Sequence, residues 1–96
     1  MTVDVTVRLP ATLRPRAADQ STVDVSVLAE ATLADVLDVL AQRYPGLERR
    51  LRDESGKLRR YVNFYIDGEE CRHLGGAATP LRDAAEVQII PSVAGG

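Results

Sequence analysis

From Thr2 to Leu9 apolar and polar residues alternate, with Val3, Val5, Val7 and Leu9 on one face and Asp4, Thr6 and Arg8 on the other. Period-two alternation predicts a strand with one buried face. Pro10 ends it, since proline has no N–H to give a ladder. Val23, Val25 and Val27, with Asp24 and Ser26 between them, predict a second strand. The link from Pro10 to Ser21 is a loop whose Leu13 needs an apolar partner. Thr32 then reads as a helix N-cap, and Asp35 can supply the acid of a capping box. Leu33, Val36, Leu37, Leu40 and Tyr44 follow at helical spacing and leave Asp35, Asp38 and Gln42 outside. Pro45-Gly46 is predicted to stop this helix, with Leu47 and Leu51 anchoring a short extra turn. After the polar loop 53–57, Tyr61 to Ile66 is aromatic and β-branched almost throughout, which predicts a strand. Asp67-Gly68 signals a hairpin, and Glu69 to His73 is expected to return as a short, weak strand. Gly75-Gly76 breaks the chain, and Thr79-Pro80-Leu81 predicts a turn with Leu81 pointing inward. Glu86 to Pro91 forms a last strand, with Val87 and Ile89 on one face and Gln88 and Ile90 on the other.

Only one substantial helix is thus available to cover the sheet, and laying it across one face buries these stripes economically. The clean stripes of the first and last strands suit central, adjacent positions. The expected fold is α+β: a β-grasp, as in ubiquitin, with a mixed sheet of four to five strands and one main helix packed on one face. Residues 1–91 would form the domain and 92–96 a flexible C-terminal tail.

At 96 residues, the chain should be one domain burying somewhat more than ~60% of its unfolded surface. Apolar residues at 45% are too many for a disordered chain. Twelve basic and fourteen acidic side chains leave a net charge of −2, which argues against a general nucleic-acid binder. A single cysteine, Cys71, cannot form an internal disulfide or a multi-cysteine metal site. No apolar run approaches the ~18 residues of a membrane span, and the start lacks signal-peptide features. The sequence therefore predicts a cytoplasmic protein, with no membrane partner and monomeric by itself.

Candidates for catalysis are few. Cys71 and His73 lie two apart, so on a strand they would share a face. Nucleophilic catalysis also needs an orienting group and a pocket, so a semi-buried Cys71 and a solvated His73 are the simpler expectation. Glu69 and Glu70 would face opposite ways on a strand. Gly75-Gly76 is no phosphate loop, because no lysine or long helix follows. Between Arg43 and Arg60 seven basic and three acidic residues give a local +4, which is either a solvated face or a docking surface for an acidic partner.

The sharpest feature is the ending on Gly95-Gly96, just after a strand and a linker of small residues. Without Cβ atoms, two glycines can thread a narrow tunnel and adopt angles closed to other residues. Ser92 to Gly96 can extend at most ~17 Å, enough to carry a terminal carboxylate clear of the globular body. Such a carboxylate can attack the α-phosphate of ATP held by a partner enzyme, giving an acyl-adenylate. A sulfur nucleophile then displaces AMP.

With these residues the chain resembles the ThiS/MoaD-like ubiquitin-like sulfur carrier family. It is nearest to the CysO-type carriers of cysteine biosynthesis, through 9–15 (LPATLRP), 62–68 (VNFYIDG), 75–79 (GGAAT) and the ending 90–96 (IPSVAGG). The resemblance implies a protein cosubstrate, not an enzyme, that binds no cofactor. It implies that Gly96 is adenylated by an E1-like, MoeB/ThiF-type enzyme using ATP and Mg, then sulfurated, often through a rhodanese-like domain. The resulting thiocarboxylate would deliver sulfide to an acceptor synthase, and Val93, Ala94 and Gly95 would thread the partner's active site. The outer sheet face near the tail is then expected to dock the activating enzyme through Tyr65 and Ile90, with Gln88 and Asn63 beside them. Where the family often has an Asp-Gly-Asp-Glu type turn, this chain has Asp83-Ala84-Ala85-Glu86; should that turn need positive φ, Ala84 carries about 1–2 kcal/mol of strain. Two other functions share the pattern: a ubiquitin-like modifier joined through Gly96 to target lysines, and a noncovalent β-grasp adaptor whose tail is irrelevant.

Overall fold

A computed structural model describes residues 1–91. Five strands form one sheet: β1 (Thr2–Arg8), β2 (Thr22–Leu28), β3 (Val62–Ile66), β4 (Glu69–Glu70) and β5 (Glu86–Pro91), in the spatial order β2-β1-β5-β3-β4. β1 and β5 are central and parallel, and every other pairing is antiparallel. The side-by-side placement of first and last strands is thus as expected.

Helix α1 (Leu33–Arg43) buries Leu33, Val36, Leu37 and Leu40. They join one core with Val5, Val7, Val23, Val25, Phe64, Val87 and Ile89, contributed by alternate positions of the strands. The capping box forms: the Asp35 carboxylate accepts from the Thr32 N–H at 2.8 Å and from its hydroxyl at 3.2 Å. Leu13 and Leu81 also find the core, and Leu13 opens a 3-10 turn over Arg14–Ala17.

Two elements differ from the sequence reading. Pro45-Gly46 ends α1 but also starts a second helix, α2 (Pro45–Leu51), since proline suits the first turn of a helix, where its missing N–H is not needed. Leu47 and Leu51, one turn apart, are fully buried and hold α2 to the core. Arg52 locks the two helices together: its guanidinium donates to Asp38 of α1 at 2.9 Å and pairs with Glu48 of α2. The return strand after Asp67-Gly68 lasts only Glu69–Glu70, then coils into a 3-10 turn over Cys71–His73. Asp67 (φ 50°) and Gly68 (φ 89°) both take the left-handed region, as a tight two-residue hairpin requires.

Candidate functional site

The register of β3 on β5 places Asn63 beside Ile90 and Tyr65 beside Gln88. On the other side Gln88 lies beside Arg8 of β1. All of these point away from the helices, because Val62, Phe64, Ile66, Val87 and Ile89 take the inward positions. The four residues expected to form a docking patch therefore make one contiguous surface. Ile90 is 38% exposed, a large apolar side chain left open to solvent, while Tyr65 and Asn63 are half-buried.

The Asp67 N–H donates to the Glu86 carbonyl at 2.9 Å. Alternation along an antiparallel ladder then makes Asn63–Ile90 a hydrogen-bonded pair and Val62–Pro91 a non-bonded one. Pro91, lacking an N–H, thus ends β5 without orphaning a β3 carbonyl. Beyond it the tail residues of the sequence reading, Val93, Ala94, Gly95 and Gly96, lie outside the described residues.

Arg72 braces this end of the sheet. Its guanidinium donates to the Asn63 Oδ1 at 2.8 Å, to Glu70 at 2.7 Å, and to the backbone carbonyls of Arg59 and Val62 at 3.2 and 3.1 Å. Nothing in the sequence pattern announced Arg72, because all its partners but Glu70 lie 9 to 13 residues away, across the hairpin.

The other candidates resolve differently. The 3-10 turn separates Cys71 from His73: the cysteine is fully buried and the histidine is exposed, so they share no face. Burial, reinforced by the neighbouring Glu70 charge, pushes the Cys71 thiol above its usual range, the opposite of an activated nucleophile. Gly75-Gly76 is tied by Thr79, whose hydroxyl accepts from the Gly75 N–H at 2.9 Å and donates to the Gly76 carbonyl at 2.7 Å. The basic run is not one free surface. Arg43 is spent on the Asp24 carbonyl, Arg52 on Glu48 and Asp38, and Arg59 on the Arg49 carbonyl. Among the described residues, no group of three His, Cys, Asp or Glu could hold a metal, and no helix is long and apolar enough to cross a membrane.

Similarity to known proteins gives the family. The ThiS family model matches residues 7–96. The chain belongs to the ThiS family. The sulfur carrier protein CysO of Mycobacterium tuberculosis is 43% identical over 96 residues, covering 98% of this chain and all of the relative. Its crystal structure superposes with a TM-score of 0.77, covering 93% of this chain and 99% of that one. Small archaeal modifier protein 3 of Haloferax volcanii is 45% identical over 67 residues, 70% of this chain and 72% of the relative. In the crystal structure of the Amycolatopsis orientalis BexX/CysO complex, the matching chain is 35% identical, with a TM-score of 0.79 over 96% of this chain and 99% of that chain. This chain is accordingly a CysO-like member of a ubiquitin-like, β-grasp sulfur carrier family.

Proposed function

We propose that this member of the ThiS family is a protein cosubstrate of the cytoplasm whose Gly96 carboxylate carries sulfur. A partner enzyme of the E1-like, MoeB/ThiF type binds ATP and Mg. The Gly96 carboxylate attacks the α-phosphorus, a new P–O bond forms, and pyrophosphate leaves. A sulfur nucleophile then adds to the acyl carbon and expels AMP, so that the chain ends in a thiocarboxylate. An acceptor synthase takes the sulfide from it; cysteine formation is the favoured route, and molybdopterin, thiamin and thio-containing natural products would use the same chemistry.

The observation that carries this reading is similarity to a sulfur carrier over nearly the whole chain, with the family match running through the Gly-Gly ending that lies four residues beyond the last strand. The shape of the sheet supports it. β5 runs between β1 and β3 and leads the chain out at the end where Ile90, Tyr65, Gln88 and Asn63 lie together. An enzyme holding that patch is placed to receive residues 92–96, and glycines at 95 and 96 remove the side chains that would crowd its tunnel.

Mass spectrometry after incubation with the activating enzyme, ATP and sulfide tests it: replacing one oxygen by sulfur adds about 16 Da. Deleting Gly96 should abolish that gain, and full downstream activity of the deletion variant would favour a noncovalent adaptor. The similarity to a small archaeal modifier protein favours one second reading, conjugation through Gly96 to lysines of target proteins. High-mass covalent products without the thiocarboxylate would decide for it. Lys57 is the only lysine here, which restricts chains built on the protein itself.

A further inference from the structure

Beside Ile90 the surface is concave. A notch of about 410 Å³ opens between the ends of β1 and β5, lined by Arg8, Pro10, Arg14, Thr22, Gln88 and Ile90. Its polar side chains are two guanidiniums, the hydroxyls of Ser21 and Thr22 and a carboxamide, with no acidic residue in the lining. Among the described residues Arg14 spends only its Nε, on the Leu9 carbonyl at 3.2 Å, which keeps the side chain in place and leaves its terminal NH2 groups for a ligand. Arg8 is 55% exposed and meets Glu86 only loosely, at 3.6 Å.

The rest of the outer face has the opposite character. Asp4, Asp24, Asp67, Asp83 and Glu86 gather toward the start of β5, where Asp4 bonds Ser26 and Asp83 accepts from the Asp4 N–H. Acids therefore predominate where β5 begins, with Arg82 the basic group among them, while the notch toward its end carries arginines and no acid. A surface that approaches the Ile90 end is attracted if it is acidic and repelled if it is basic.

We propose that this notch seats a carboxylate-bearing loop of the adenylating enzyme, a contact that rests on the adenylation reading above. A carboxylate between Arg8 and Arg14 gains charge-assisted hydrogen bonds, and the loop bearing it buries apolar surface against Pro10 and Ile90. A free inorganic anion would gain only the first of these. The contact lies one residue from Pro91, so it fixes the direction in which residues 92–96 enter the partner.

Pyrophosphate release tests the contact, using the full chain, its ATP-dependent adenylating enzyme and saturating ATP at low and high salt. Arg8→Gln and the double variant Arg8→Gln/Arg14→Gln are compared with Arg82→Gln. The last removes the same charge at the other end of β5, where Arg82 lies 3.4 Å from Asp67. KM for the carrier should rise about fivefold for Arg8→Gln and further for the double variant, with kcat within about twofold and the difference shrinking in high salt. Arg82→Gln should match the unaltered chain. Equal KM values for Arg8→Gln and the unaltered chain at low salt overturn the notch, as does an equal loss in Arg82→Gln, which would reflect overall charge alone. Should the double variant fail to fold, the exposed single site Arg8 decides. If the unaltered chain releases no pyrophosphate, the adenylation reading fails, and the notch with it.

Discussion

Ala84 holds a left-handed backbone, with φ at 65°. It cannot relax, because its N–H donates to the Asp4 carbonyl at 2.8 Å while Asp83 accepts from the Asp4 N–H at 2.8 Å. The turn before β5 is thereby clamped to β1, and the clamp imposes an angle that an L-residue adopts at a cost of about 1–2 kcal/mol. Ala84→Gly removes that cost. Because the side chain is exposed, no cavity is left behind. Glycine's greater freedom in the unfolded chain returns about 0.4–1 kcal/mol. The net gain is about 0.5–1 kcal/mol, which in a domain of this size raises Tm by about 3–6 °C. Calorimetry would measure it, with Ala41→Gly inside α1 as a control expected to lose about 1 kcal/mol. The turn lies where β5 begins, away from the Ile90 end, so activation should be unchanged. An unaltered or lowered Tm for Ala84→Gly would refute the strain account.

Other predictions concern the surface and the titrating groups. Ile90→Glu and Tyr65→Ala should each impair ATP-dependent activation by about tenfold with native circular dichroism, because partly exposed sites away from the core change stability little; normal activation of both would remove the docking patch. Asp53 accepts from the Ser55 hydroxyl at 2.6 Å and from the Lys57 N–H at 3.0 Å, which holds its carboxyl below the usual carboxylate range. A depressed folded-state pKa contributes stability above the unfolded value that is lost as pH falls through the folded one. Carbon-detected NMR titration should show a low midpoint for Asp53, and Asp53→Asn should weaken the acid dependence of unfolding. Cys71, buried with its thiol raised, should react with a thiol reagent only at the rate of opening and at once in denaturant; prompt reaction of the native chain would contradict that burial.

The elements that sequence made legible share a property: each rests on periodicity within one segment. Alternation marked Val5, Val7, Val87 and Ile89 as core and Gln88 and Ile90 as surface, and the 3.6-residue repeat marked the buried side of α1. The doubt over Ala84 was also local, resting on a residue type in a turn that wants positive φ. What escaped depended on partners elsewhere in the chain. Pro45 gives opposite signals, end of one helix and start of the next, and burial of Leu47 and Leu51 settled it in favour of α2. Cys71 and His73 shared a face only if the strand continued, and the chain coils at Cys71 instead. Nor did the count of basic residues reveal that Arg43, Arg52 and Arg59 are engaged in bonds that hold helices and loops in place.

By itself, the order of residues determined which side of each strand and of the main helix turns inward, and it supplied the two terminal glycines. Those are properties of neighbours a few positions apart, where side-chain direction follows from backbone geometry alone. Tertiary structure decided what the outward side chains form together. Register across β1, β5 and β3 brings residues 8, 63, 65, 88 and 90 onto one surface, and the long loop after β1 adds Arg14 to its edge. Local periodicity cannot fix that gathering, since it depends on which strands pair and by how many residues each is shifted.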